Sequence, residues 1–302
     1  MGLDSWKHAT NHNAMAARQG TTPQDKSAQN TGTQAAGPVM LAYYGSSAFC
    51  LTTPSGLTVM IDPWRNHPAG GKDWFYHDFP LTKVDIGIST HAHFDHDALH
   101  RLDASVMLDR LIGCYEFADL QLTGIADKHA IEDSAAPYDM HRLNRYFGGA
   151  NLAPPDNARS WDNCLLMIET GGLRILHWGD NRHNPPQQVW DQIGQVDVLI
   201  VPIDGSQHVL SDDHVERVIA RLKPSLIVPC HYYIWNVHKQ HSTLLPADQW
   251  VQQREQVVSA PADGIALRPD SAAPAVLDFG QSVAFDVDAW HRDNGCDVVP
   301  ET

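Results

Sequence analysis

Ser89-Thr90-His91-Ala92-His93-Phe94-Asp95-His96-Asp97 is the stretch on which the reading of this chain turns. Four potential metal ligands, His91, His93, Asp95 and His96, fall within six residues. They follow directly on 84–89, an apolar run that predicts a buried strand. In an extended chain, residues two apart point the same way, so His91 and His93 can hold one ion together. Asp95 and His96 lie where the strand is expected to turn into a helix, within reach of a second ion. Imidazole and carboxylate donors suit zinc, and iron or manganese accept the same set.

Outward from that stretch, the composition narrows the function classes. The 302 residues include 18 histidines, nearly matching 21 lysines and arginines, against 36 aspartates and glutamates. A formal charge of −15 repels polyanions, and no basic run interleaved with aromatics offsets it. Nucleic acid is therefore not expected as a partner. The 43% hydrophobic content is enough to build a core. Five scattered cysteines without a CxxC pair argue against a disulfide framework or a cysteine-based zinc site. No apolar stretch approaches the ~20 residues of a membrane span. Nor does the N-terminus combine a basic start, an apolar run and a small-residue cleavage site. The expectation is a soluble protein without a membrane partner, cytoplasmic as the sequence stands and periplasmic if a signal preceded residue 1. It is compatible with homo-oligomers.

Residues 1–37 are rich in Thr, Gln, Asn, Ala and Gly, which predicts a disordered or extended arm before one domain over 38–302. Strands are expected at 39–44, 48–52, 57–62, 84–89, 120–125, 164–169, 173–178, 196–202 and 226–229. The clearest helix is 211–222, with Ser211 as N-cap, Asp212 and Asp213 in the first turn, and an apolar stripe of Val215, Val218, Ile219 and Leu222. Weaker helical patterns cover 187–193 and 246–257. Helices between the later strands make the class α/β.

With these residues in place, the chain resembles the metallo-β-lactamase superfamily, whose hallmark is the H-x-H-x-D-H loop. The resemblance runs from about residue 38 to residue 233. Asp62, in Val59-Met60-Ile61-Asp62-Pro63-Trp64, matches a structural aspartate that steadies the metal loop. His129 matches the histidine of the third motif, with His100 and His141 as its competitors. Asp180, in His177-Trp178-Gly179-Asp180, matches the carboxylate that bridges two metals, and His231 matches the last histidine ligand. The resemblance implies a four-layer αββα sandwich. It implies one metal site from His91, His93 and His129 and another from Asp95, His96 and His231, with Asp180 shared. His177 is expected to orient Asp180 or a ligand imidazole, with direct ligation and a plain core position as the alternatives. Gly45-Ser46-Ser47-Ala48-Phe49 and Pro202-Ile203-Asp204-Gly205-Ser206 are similar to the lactonase and phosphodiesterase-like branch.

A zinc-dependent hydrolase follows from this as the expected function. Two ions lower the pKa of a shared water toward neutrality, and the resulting hydroxide attacks a polarised electrophile. Asp95 is placed to orient the nucleophile and carry its proton. His208 is a candidate for oxyanion contact or leaving-group protonation, the alternative being a solvated loop histidine, and Tyr232 is a weaker candidate of the same kind. Trp64, Trp74, Phe75, Trp178 and Trp235 are expected to line a pocket for a small apolar or aromatic substrate. An ester, a lactone or a halogenated aromatic fits that pocket. The alternatives are a small-molecule phosphodiesterase on the same two metals and, further off, a di-iron redox protein. Asp278-Phe279-Gly280 spells a kinase motif without its companions, and no G-x-S-x-G supplies a serine nucleophile.

Overall fold

Hydrophobic strands too numerous for one sheet are divided here between two. The computed structural model describes residues 37–66, 73–130, 162–207, 209–239, 244–261, 263–269 and 275–295. The arm expected over 1–37 lies outside them except for Gly37. The first half contributes β1 (Val39–Gly45), β2 (Ala48–Thr52), β3 (Thr58–Ile61), β4 (Thr82–Ser89), β5 (Leu102–Asp109), β6 (Gly113–Phe117) and β7 (Leu120–Lys128). The second contributes β8 (Asp162–Thr170), β9 (Leu173–His177), β10 (Val198–Pro202), β11 (Leu226–Cys230), β12 (Val257–Ser259), β13 (Ile265–Leu267) and β14 (Ala275–Asp278). One sheet runs β13-β1-β2-β3-β4-β5 and the other β12-β14-β11-β10-β9-β8-β7-β6.

Both sheets are mixed. β1, β2 and β3 pair antiparallel, and β4 and β5 then continue parallel to β3. In the larger sheet β9, β10, β11 and β14 are parallel, whereas β6, β7, β8 and β9 form an antiparallel meander. The difference is visible in burial. Every residue of β10 (VLIVP) is buried, as a parallel strand covered on both faces requires, while β5 at the edge alternates with solvent. A single apolar cluster joins the two sheets, drawing Leu51, Ile61 and Ile88 from one and Leu166, Leu176 and Val228 from the other. This is the α/β sandwich expected from the sequence.

Among the described residues the helices are α1 (Gln187–Ile193), α2 (Asp212–Leu222), α3 (Asp248–Val251) and α4 (Val287–Asp293). Ser211 caps α2 by accepting from the His214 amide, and Val215 and Val218 are buried on its inner face. Two expectations are corrected. No α-helix follows the histidine stretch; the chain makes one 3-10 turn over Leu99–Arg101 and enters β5, whose backbone pairs with β4. The helix expected over 246–257 stops after one turn at Val251, because Val257–Ser259 finds a parallel partner in β14. β5 and β6 were not expected, since their exposed positions break the apolar run that marks a buried strand.

The parallel ends decide where chemistry can happen. β3, β4, β7, β9 and β11 lead directly into Asp62, Ser89–His91, His129, Trp178–Asp180 and His231, so the candidate ligands leave the two sheets at one rim. Where β7 passes the β5–β6 connection the packing leaves no room for a side chain. A Cβ on Gly124 would lie 1.7 Å from the Leu111 carbonyl oxygen and 2.9 Å from the Cys164 sulfur. Gly124→Ala is therefore expected to cost about 3 kcal/mol, read as a lower melting temperature and urea midpoint. Unchanged melting would show that this approach is not tight in solution.

Candidate metal centre

The site begins with Asp62, which ends β3 in a left-handed conformation (φ 48°) and is fully buried. A non-glycine residue adopts that backbone only when its surroundings hold it there. Its amide donates to the Ile88 carbonyl at 2.8 Å, tying it to β4. Its carboxylate accepts from the Thr90 amide and the Thr90 hydroxyl, each at 2.7 Å, and meets His96 Nδ1 at 2.8 Å. One side chain thus fixes the start of the histidine loop and the orientation of a ligand imidazole, leaving His96 Nε2 to face inward. Thr90 passes the constraint on, since its hydroxyl lies 3.1 Å from His91 Nδ1.

Asp180 is fixed from the other sheet. Its amide donates to Asn163 Oδ1 at 3.3 Å, and Asn163 also donates to Asn181 and to the Trp178 carbonyl. Asn181 in turn donates to Asp127, which pairs with Arg182. Gly179 turns the chain at φ +56°, and a Cβ there would lie 2.6 Å from Asn163 Oδ1 and 3.0 Å from Thr90 Oγ1. The glycine lets the supports of the two sheets close on each other. His231 also takes a left-handed backbone (φ 61°), and its amide donates to the Ser46 carbonyl at 2.7 Å.

These supports bring seven donors together in two groups. His91, His93, His129 and Asp180 form one, and Asp95, His96 and His231 the other; within each group the donor atoms lie within 4.8 Å of one another. Asp180 reaches across both. Its Oδ2 is 3.4 Å from His129 Nε2, 3.5 Å from His231 Nε2 and 3.9 Å from His91 Nε2, and its Oδ1 is 3.5 Å from His96 Nε2. Asp95 Oδ2 stands 3.2 Å from His231 Nε2.

Two observations of this geometry fit a metal. His96 Nε2 and Asp180 Oδ1 are shut off from solvent and have no hydrogen-bond partner among the described residues, a costly state for polar atoms unless a cation takes them up. The donor set, five imidazoles and two carboxylates, is also the chemistry that first-row divalent ions prefer. The electrostatics of the bare site agree. Burial, with the neighbouring His96 and His93, pushes His91 well below the usual histidine range, and burial beside His129 takes His93 down to about 3. Burial opposes charge on His96 and His231 as well, yet Asp180 and Asp95 hold both above the ordinary value. Asp180 itself is held well below the carboxylate range despite burial, by His231 and His96. Asp180 and Asp95 thus favour positive charge at the His96 and His231 side of the site, where a divalent cation would meet the same carboxylates.

The remaining expected residues divide. His177 is buried with both ring nitrogens on backbone: Nε2 lies 3.0 Å from the Ser47 carbonyl, and Nδ1 accepts from the Gly179 amide at 3.1 Å. It braces the turn before Asp180 through the main chain and does not ligate. The expected pocket aromatics need correction. Trp64, Phe75 and Trp178 are fully buried; Trp64 stacks on Phe75 at 4.3 Å, and Trp178 donates to the Asn181 carbonyl. They belong to the core because each offers too large an apolar surface to leave at a rim. Trp74 does reach the metal loop, edge-on to Phe94 at 5.5 Å, and Trp235 is half-buried. Tyr232 packs inside the core 5.5 Å from the Tyr43 ring, with its hydroxyl raised by burial, so it is a packing residue. His208 lies outside the described residues. Sequence reading missed Thr90, Asn163, Asn181 and Asp127, whose polarity is commonplace and whose role appears only when two sheets meet.

If Asp62 carries the constraint described, Asp62→Ala should lower zinc affinity by 10- to 100-fold in a competition titration while the fold persists by circular dichroism. Unaltered affinity in a folded variant would remove Asp62 from the site.

Comparison with known proteins places this geometry. The family model described as the β-lactamase superfamily domain matches residues 40–231, from β1 to the last candidate ligand. A metal-dependent hydrolase of Thermodesulfovibrio yellowstonii is 24% identical over 214 residues, covering 65% of this chain and 79% of that one. Another metal-dependent hydrolase, from Cupriavidus taiwanensis, is 25% identical over 230 residues, covering 67% of this chain and 77% of its own. Among solved structures, a Thermotoga maritima protein assigned to the Zn-dependent hydrolases of the metallo-β-lactamase superfamily aligns with a TM-score of 0.55 at 20% identity. That alignment covers 79% of this chain and 97% of the other, and it speaks for the fold. Motif, fold and family model agree, and the chain belongs to the β-lactamase superfamily.

Proposed function

We propose that this chain is a metal-dependent hydrolase that holds two zinc ions and acts on a small molecule bearing an apolar or aromatic group. The observation that carries the reading is the seven-donor arrangement with Asp180 between its two halves. The names of the relatives, metal-dependent hydrolases, support it.

His91, His93 and His129 would hold one ion and Asp95, His96 and His231 the other, with Asp180 between them. Divalent ions held there would supply an acidified water as nucleophile and a Lewis acid for the electrophile. The protein's own contribution is to fix these donors before substrate arrives. Asp62, Thr90 and Asn163 do so by hydrogen bonds, sparing reorganisation during the reaction. Asp95, its Oδ2 near His231, is placed to orient the nucleophile and accept its proton. Trp74 and Phe94 beside the loop offer an apolar surface, consistent with an ester or lactone carrying such a group. The acidic surface disfavours polyanionic substrates.

Chelation should abolish turnover on a panel of esters, lactones, haloaromatics and phosphodiesters, and zinc should restore it. Asp180→Ala and His93→Ala should each lose metal and reduce turnover at least 100-fold. Turnover that survives metal removal, or either variant retaining two ions and full rate, would overturn the assignment. A preference for phosphodiesters would keep the metals and change the substrate class.

A further inference from the structure

Next to the metal centre lies a cavity of about 710 Å³ that the centre does not use. Thr90 and Asn163 line it, the same residues that bond to the Asp62 carboxylate and the Asp180 amide. None of the seven donors is among its lining residues, so it is a separate compartment that shares a wall with the centre. β7 serves both: Lys128 lines the cavity, and the next residue, His129, joins the donors. The volume falls within the roughly 300–1,000 Å³ of small-molecule sites.

The polar groups of this cavity are unevenly spent. Arg182 gives Nε and Nη2 to Asp127, and Arg110 gives Nη2 to Asp109. Arg182 Nη1, with Arg110 Nε and Nη1, has no hydrogen-bond partner among the described residues. A guanidinium carries five N–H donors, so both arginines keep donors for a ligand. Asp127, in contrast, is committed. Its side chain is only 2% exposed, and it accepts from Asn181 on one oxygen and from Arg182 on both. Asp109 and Asp162 are half exposed and already face Arg110 and Lys128. Arg110 also has a left-handed backbone (φ 52°), pinned by its amide to the Ser89 carbonyl at 2.8 Å. A non-glycine residue keeps that conformation only where its surroundings impose it, and here it sets an arginine at the cavity. Ile112 from the β5–β6 connection and Val189 from α1 add apolar surface.

We propose that this cavity binds a small monocarboxylate with an apolar body, separately from the metal centre. The uncommitted N–H groups of Arg110 and Arg182 take the carboxylate, and Ile112 and Val189 meet the body. The planar guanidinium fork matches a carboxylate in shape as well as charge. A chain of formal charge −15 disfavours a polyanion, whereas a single carboxylate here meets two cations. An amine would find Asp127 taken and the other two carboxylates paired. The inference goes beyond the hydrolase reading and does not rest on it.

Hexanoate serves as the probe, added to the zinc-loaded full chain with 13C-labelled isoleucine and valine methyl groups. The Ile112 and Val189 methyl signals should shift saturably. Arg110→Ala should weaken hexanoate about tenfold through the lost charge-assisted bonds. Ala126, exposed on β7 and lining the cavity, gives a second variant: Ala126→Phe should fill the space and abolish the shifts. Zinc content and melting temperature should be retained in both. Hexylamine at the same concentration should leave the two methyl signals in place. Absence of saturable shifts, or hexylamine binding as tightly at these methyls, would overturn the proposal. So would full hexanoate affinity in both variants, the result expected if the carboxylate binds zinc instead.

Discussion

A buried carboxylate held in a strained backbone is the constraint on which the rest of the centre depends. Asp62 spends both oxygens on Thr90 and one of them again on His96, and so turns the end of a parallel strand into a fixed mount for the histidine loop. Each of these bonds is charge-assisted and shielded from water, where hydrogen bonds are strongest and an unmade one is most costly. The left-handed conformations of Asp62 and His231 are the local cost of bringing loops from two sheets to one point. The sandwich meets that cost: its large apolar cluster fixes the strands, and backbone bonds from Ile88 and Ser46 pin the two strained residues to them.

From the other sheet the mounting is different in kind. Asp180 is held by the neutral amide of Asn163, itself bonded to Asn181, with Gly179 permitting the approach, and the chain of contacts ends on the buried Asp127 and its partly exposed partner Arg182. The two mounts touch at Thr90 and Gly179. Some donors meet one another across this space, His231 Nε2 with Asp95 Oδ2 at 3.2 Å and His91 Nε2 with His93 Nδ1 at 3.1 Å. His96 Nε2 and Asp180 Oδ1 stay 3.5 Å apart, with no hydrogen-bond partner among the described residues. Such preorganisation suits a centre whose task is to bind cations and keep them in place.

Much of this was legible in the sequence because it is local. The H-x-H-x-D-H spacing after an apolar run, the Ser211 cap followed by two aspartates, and the all-apolar β10 each carry their meaning within ten residues. What stayed hidden depends on long-range meetings. Asn163 and Thr90 look like any polar residues until Gly179 brings them together. Trp64, Phe75 and Trp178 look like pocket residues by their nearness in sequence to ligands, but stacking and burial put them in the core. The excess of histidine also divides on inspection. His177 ties backbone to backbone, and His77 and His291 face each other at 3.2 Å near α4, so part of the excess is structural.

The central claim is that seven side chains form one two-metal centre shared through Asp180. Anomalous scattering at the zinc edge from crystals of the zinc-loaded protein tests it directly. Two peaks roughly 3.5–4 Å apart are expected, one among His91, His93 and His129, the other among Asp95, His96 and His231, with Asp180 between them. A single peak, or zinc bound elsewhere with these donors left bare, would contradict it.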